Sequence, residues 1–129
     1  MKKAEILIAM CILGLSSCTL PKESRLLKKN TKDWRSSSIV LQGYADSPFS
    51  GTFLTLRENG KFEHLSSGLF QSYQAGNWTY RQDTITLFYV DEKQTFRKRQ
   101  TVIMDKKSAR LLFESENTLL PMRIITSKI

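Results

Sequence analysis

The sequence predicts an all-β protein, an antiparallel up-and-down meander of about eight strands that closes into a small barrel. From residue 39 onward, short runs rich in β-branched and aromatic residues alternate with turn signals, a pattern typical of antiparallel barrels and sandwiches. No segment of useful length places its apolar residues at helical spacing. Eight strands form a barrel whose interior is either filled by side chains or open to one small ligand.

The strongest local signal is the pair Asn59-Gly60, which readily supplies the two positive φ angles of a type I′ hairpin turn. Gln82-Asp83 predicts a second tight turn. The predicted strands cover residues 39–42, 52–57, 62–65, 77–81, 84–90, 95–104, 109–113 and 122–126.

The connection 66–75 carries Leu69, Phe70 and Tyr73 among small or polar residues. Two interpretations stay open. Exposed apolar side chains on a loop would indicate a lid or a partner contact, whereas burial of the same side chains would indicate another short strand.

The N-terminus has the layout of a secretory signal, with Lys2 and Lys3 before an apolar run at 6–15 that is too short to span a bilayer. Leu15-Ser16-Ser17-Cys18 resembles the bacterial lipobox. The resemblance implies cleavage before Cys18 and lipidation of its sulfur. The alternatives are an ordinary signal with an incidental Cys18 and a buried N-terminal helix.

Three regions follow: a lipoprotein signal peptide (1–17), a lipidated cysteine with a basic tether (18–38) and a barrel domain (39–129). The tether is polar and is predicted to be a solvated spacer with one helical turn at Leu26-Leu27. The alternative is a segment that binds anionic head groups. Its basic residues are Lys22, Arg25, Lys28, Lys29, Lys32 and Arg35.

Composition excludes several chemistries. The chain has only two cysteines; Cys11 leaves with the signal and Cys18 is consumed by lipid, so the mature domain has no thiol for a disulfide, a metal site or a nucleophile. Lysine and arginine number 20 against 12 acidic residues, a net charge of +8, which predicts attraction to anionic partners. Nucleic acid is not expected in an exported protein.

Catalytic motifs are not found. His64 is the single histidine, and no Ser-x-x-Lys, Gly-x-Ser-x-Gly or His-Glu-x-x-His pattern accompanies it. One histidine makes a poor metal site, so we expect His64 to be a packed or surface residue. The sequence predicts a protein that is not an enzyme and has no metal or cofactor.

Two candidate binding regions remain. A basic surface is predicted from the run 93–100 and the following hairpin, and it would bind an anionic envelope component or an acidic protein. The alternative is a solvated outer strand whose charges discourage edge pairing. The surface comprises Arg97, Arg99, Lys106, Lys107 and Arg110. The predicted barrel interior, which would line a ligand cavity if the barrel is hollow, comprises Leu56, Phe62, Trp78 and Leu87.

A family resemblance covers residues 39–126. Asn59-Gly60-x-Phe62, Gly76-Asn77-Trp78 and Asp83-Thr84-Ile85-x-Leu87 resemble the small lipocalin-like barrels of bacterial envelope lipoproteins. The run 43–48 is similar to the start of envelope-stress, copper-homeostasis lipoproteins, which carry Cys-x-x-Cys there. Tyr44 and Ser47 occupy those places, so the resemblance implies an envelope barrel without the soft ligands that select Cu(I).

The sequence therefore predicts a lipid-anchored, non-enzymatic binding or interaction protein of the bacterial envelope. Thr19 is not the aspartate associated with inner-membrane retention, so we expect the outer membrane. The alternative is a carrier or sensor of a small apolar ligand, with a hydrolytic enzyme as a third hypothesis. A cavity inside the barrel would favour the carrier. A filled core with a basic face would favour the interaction protein, and a polar cleft with carboxylates around His64 would favour the enzyme.

Overall fold

The computed structural model describes residues 20–47, 50–68, 71–115 and 118–129. Within them, eight antiparallel strands follow one another around a closed barrel, and β8 pairs with β1. The predicted all-β, up-and-down barrel is confirmed. The predicted signal peptide (1–17) and Cys18 lie outside the described residues. The strands are β1 Ile39–Ser47, β2 Ser50–Arg57, β3 Lys61–Gly68, β4 Ser72–Arg81, β5 Thr84–Val90, β6 Phe96–Asp105, β7 Arg110–Ser115 and β8 Thr118–Ser127.

The two tight turns differ from each other. The predicted type I′ turn at Asn59-Gly60 is wrong, because only Gly60 has a positive φ, at 82°. The Gly60 N–H donates to the Arg57 carbonyl at 3.1 Å, which makes a longer hairpin loop with glycine in the left-handed position. Both φ angles are positive at Gln82 (51°) and Asp83 (62°), so the type I′ geometry falls on that pair.

The two ends of the barrel differ in how they are filled. We call the end with the β2–β3, β4–β5 and β6–β7 turns the base, and the opposite end the mouth. Towards the base, inward-facing side chains alternate along the strands and pack into one apolar cluster. Its fully buried members include Leu41, Leu54, Leu56, Phe62, Ile85, Leu87, Val102 and Leu111.

A short helical segment covers part of the outer wall. Helix α1 (Lys22–Asn30) and a 3-10 helix (Lys32–Ser36) precede the barrel. Leu27 packs against Tyr73, Ala75 and Val90 on the outside of β4 and β5. In the part of the chain that the structure describes, no helix is long and apolar enough to span a bilayer.

The expected solvated spacer with one helical turn is therefore wrong for these residues. The side of this segment that packs on the barrel carries residues at helical spacing, two of which are polar: Leu20, Ser24, Leu27 and Thr31. Both polar side chains are hydrogen-bonded. Ser24 Oγ accepts the Tyr73 N–H at 3.1 Å, and Thr31 Oγ1 donates to the Leu27 carbonyl at 2.7 Å.

A buried carboxylate joins the 3-10 helix to the barrel. Glu63 points outward from β3, and its side chain is only 4% exposed. Its oxygens accept from Arg57 at 2.9 and 3.2 Å, from Arg35 at 3.2 Å and from the Tyr73 hydroxyl at 2.8 Å. We call Glu63, Arg35, Arg57 and Tyr73 the ionic clip, because it connects residues on both sides of the helix–barrel junction.

The connection 66–75 is mostly strand. Tyr73 belongs to β4 and lies under α1 with 1% exposure. The interpretation of a buried strand is therefore correct for Tyr73, which packs on the outer wall and not inside the barrel. Leu69 and Phe70 lie outside the described residues.

Candidate functional site at the barrel mouth

A cavity of about 290 Å³ opens at the mouth of the barrel. Strand alternation turns one residue in two toward it, and most of the barrel strands contribute. The described lining residues are Ala45, Thr52, His64, Ser66, Gln100, Phe113, Pro121 and Met122. The wall is thus apolar on the β7–β8 side and carries hydroxyl, amide and imidazole groups on β2, β3 and β6.

A chain of hydrogen bonds crosses the lower part of this cavity. The Tyr89 hydroxyl lies 2.9 Å from His64 Nδ1 and donates to Gln100 Oε1 at 3.1 Å. A phenol has one proton to donate, so His64 donates from Nδ1 to the Tyr89 oxygen. Neutral His64 then keeps Nε2 as a hydrogen-bond acceptor, and this atom has no partner among the described residues.

The environment of His64 keeps it neutral. Burial, followed by the nearby Lys98 cation, lowers the pKa of His64 to about 4. Burial also raises the pKa of Tyr89 well above its usual value. The Lys98 ammonium lies 4.8 Å from the centre of the Tyr89 ring, a cation–π distance. At neutral pH the mouth therefore presents neutral hydrogen-bonding groups in the cavity, with the Lys98 cation beside them.

These groups suit recognition of a polar ligand group. The Thr52 and Ser66 hydroxyls both donate and accept, the Gln100 amide does the same, and His64 Nε2 accepts. The Phe113 and Met122 side chains offer apolar contact. In the ranges 20–47, 50–68, 71–115 and 118–129, no cluster of three metal-ligand side chains is found.

The four residues predicted to form the barrel interior lie beneath this cavity. Leu56, Phe62 and Leu87 are fully buried in the core cluster. Trp78 packs against the same cluster, and its Nε1 donates to the Arg57 carbonyl at 2.9 Å. None of the four lines the mouth cavity. Sequence reasoning missed Thr52, Ser66 and Gln100, because an inward-facing polar residue has the same local pattern as an outward-facing one.

The five basic residues predicted as one surface divide into two groups. Arg97 and Arg99 lie near the start of β6, at the mouth, and both are exposed. Lys106, Lys107 and Arg110 lie at the base, where Lys106 pairs with Asp83 at 3.5 Å. At about 3.3 Å per residue, Arg99 and Lys106 are on the order of 20 Å apart. The structure therefore does not bring all five together.

No family model, curated protein or solved structure matches this chain.

The buried histidine predicts a pH-dependent stability. Between pH 6.5 and about 4 the unfolded chain binds a proton at His64 that the folded chain does not, so stability is complete above pH 6.5 and falls as the pH decreases through this window. From pH 7 to pH 4.5 we expect a loss of about 2 to 3 kcal/mol from this group. Urea unfolding of the wild type and His64→Gln at both pH values measures it.

Carboxylates titrate in the same pH range, and His64→Gln keeps all of them while it removes the single histidine. The variant therefore measures the contribution of the carboxylates alone. His64→Gln should lose clearly less stability than the wild type on acidification. Equal losses in the two proteins would show that the imidazole is not held neutral.

Proposed function

We propose that the protein is a non-enzymatic binding protein, anchored by lipid at Cys18 to the outer membrane of the bacterial envelope, that holds one small amphiphilic molecule in the barrel mouth. The observation that carries this proposal is the cavity of about 290 Å³ with one apolar wall and one hydrogen-bonding wall. Anchoring is supported by the Leu15-Ser16-Ser17-Cys18 sequence after an apolar run.

The cavity restricts the size of the ligand. Sites for small molecules are usually about 300 to 1,000 Å³, so this cavity is at the lower limit and suits one small group or the end of a longer chain. The core beneath it is packed with fully buried side chains such as Leu54 and Phe62, which favours a ligand held near the rim.

The two walls define the chemistry of the ligand. Its apolar part would contact Phe113 and Met122. Its polar part would bond to Gln100 and Ser66, with a hydroxyl or N–H donating to His64 Nε2. Apolar walls with a few placed polar groups are the usual composition of a specific small-molecule site.

Native mass spectrometry of the mature protein, purified gently from its host, tests this proposal. We expect an adduct of reproducible mass that organic extraction removes. Ala45→Trp should abolish the adduct because Ala45 lines the mouth. Tyr44→Trp is the matched control, since it introduces the same side chain at the neighbouring position, where Tyr44 packs against Phe53 with ring centres 4.7 Å apart.

Three outcomes are informative. An adduct on the wild type and Tyr44→Trp but not on Ala45→Trp supports the proposal. An adduct that persists in Ala45→Trp places the ligand outside the mouth and rejects it. A wild-type protein that carries no adduct and binds none from total envelope lipid extract also rejects it.

A further inference from the structure

We infer that the mouth end of the barrel docks on the membrane surface, where α1 and the start of β6 contact anionic lipid head groups. The inference rests on the proposed anchoring at Cys18, and it adds an orientation and a contact surface to it.

Leu20, which precedes α1, lies at the mouth end of the barrel. Leu20 packs against the cluster that contains Tyr73 and Val90, and these are the second residue of β4 and the last residue of β5. Both therefore lie at the mouth end. Only Thr19 lies between Leu20 and Cys18, so the Cα atoms of these two residues are at most about 8 Å apart. Acyl chains on Cys18 would hold the mouth, and not the base, close to the bilayer.

Hydrogen bonds join α1 to the loop before β6. Asn30 Nδ2 donates to the Glu92 carbonyl at 2.8 Å, and Gln94 Nε2 donates to the Asn30 carbonyl at 3.5 Å. The exposed face of the helix and the start of β6 thus belong to one continuous surface at the mouth. We call it the rim surface, and it comprises Lys22, Arg25, Leu26, Lys29, Lys93, Phe96, Arg97 and Arg99.

The rim surface combines positive charge with exposed apolar side chains. Six of its eight members are lysine or arginine, and all eight are exposed. Phe96 is 61% exposed and Leu26 is 37% exposed. Basic residues with an exposed aromatic and a leucine are the composition by which peripheral segments bind anionic bilayers.

The acidic residues nearby do not cancel this charge. Glu23, Asp91 and Glu92 lie in the same region. Asp91 Oδ1 accepts the backbone N–H groups of Lys93 and Thr95, each at 2.9 Å, so this carboxylate is bound within its own loop. Six cations against three acids leave an excess of positive charge that complements anionic head groups.

This orientation has a functional meaning for the cavity. The mouth opens at the same end as the rim surface, so a ligand that enters or leaves it does so beside the bilayer. An amphiphile would then exchange between the membrane and the barrel over a short distance. The bilayer is thus both the docking partner and the nearest source of ligand.

Site-specific fluorescence tests the orientation in the intact lipoprotein. Because the mature domain has no other free cysteine, Phe96→Cys and Lys107→Cys each allow one environment-sensitive label, at the mouth and at the base. The proteins are reconstituted in vesicles of phosphatidylethanolamine and phosphatidylglycerol that contain acyl-chain spin labels. We expect a blue-shifted emission and strong quenching at position 96, and the emission of the label in water at position 107.

Charge reversal tests whether the rim surface contributes to docking on the bilayer. In the Phe96→Cys background, Arg97→Glu with Arg99→Glu should reduce quenching at least twofold while the protein still floats with the vesicles. Asp83 partly neutralises Lys106 at the base, and the matched pair Lys106→Glu with Lys107→Glu should leave quenching unchanged.

The outcomes separate this inference from the anchoring on which it rests. An acylated protein that floats with vesicles while the label at 96 stays in water, or is quenched no more than the label at 107, overturns the orientation alone. A mature protein without acyl mass overturns the anchoring and the orientation together. Selective quenching at 96 that falls on reversal of Arg97 and Arg99 supports the inference.

Discussion

Gly76→Ala is expected to prevent folding of the barrel. Gly76 pairs with Tyr89 across β4 and β5, and a Cβ atom there would overlap the Phe88 carbonyl oxygen and lie 2.9 Å from Cε2 of Phe62. The carbonyl belongs to the backbone of a paired strand, so relief would require moving β5 away from β4. Far-UV circular dichroism and the yield of folded protein measure the effect.

Gly60→Ala is the matched control for this prediction. Gly60 has a φ of 82°, but nothing lies within 4 Å of a Cβ built there. Its cost should therefore be only the backbone strain of a left-handed alanine, about 1 to 2 kcal/mol. If Gly76→Ala melts within a few degrees of Gly60→Ala, the close approach of β4 and β5 at this position is not correct.

Glu63→Ala should be the most destabilising change among the charged residues that the structure describes. Removing the carboxylate leaves Arg57, whose side chain is 13% exposed, without its ion pair. Loss of one partner from a buried pair typically costs about 3 to 5 kcal/mol. Since Arg35 and the Tyr73 hydroxyl also bind Glu63, we expect a loss in this range by equilibrium urea unfolding.

The same variant should release the helical segment locally. Hydrogen exchange of residues 22–36 should increase more than that of the core strands. Glu58→Ala removes a carboxylate from an exposed pair with Lys128 at 3.7 Å, and it should change stability by less than about 1 kcal/mol. Similar losses for Glu58→Ala and Glu63→Ala would contradict the role of the ionic clip.

The fold was predictable because its signals are local. Alternation within 84–90 and the turn residues at Asn59-Gly60 and Gln82-Asp83 define strands without knowledge of their partners. The type of the first turn was not predictable, since Asn59 is also held from outside its hairpin: its N–H donates to Ser37 Oγ at 3.0 Å, and its Nδ2 donates to the Trp34 carbonyl at 3.3 Å.

The helix and the site depend on distant contacts. Glu63 reads locally as an exposed strand residue, and it becomes buried only because Arg35 and Tyr73 meet it there. Thr52, Ser66 and Gln100 come from three strands, and strand register decides whether each faces the mouth or the solvent. His64 was identified as the single histidine, but its neutral state follows from burial, which has no local signature.

Docking of α1 also constrains the order of folding. Its partners lie far along the chain, 49 residues from Ser24 to Tyr73 and 62 from Asn30 to Glu92, and they occupy adjacent places only once β3, β4 and β5 have assembled. The N-terminal segment can therefore form these bonds only after those strands have paired. Until then residues 19–38, if extended, would span up to about 70 Å. If acyl groups already hold the chain at Cys18, docking of α1 would shorten this tether and bring the folded barrel close to the bilayer.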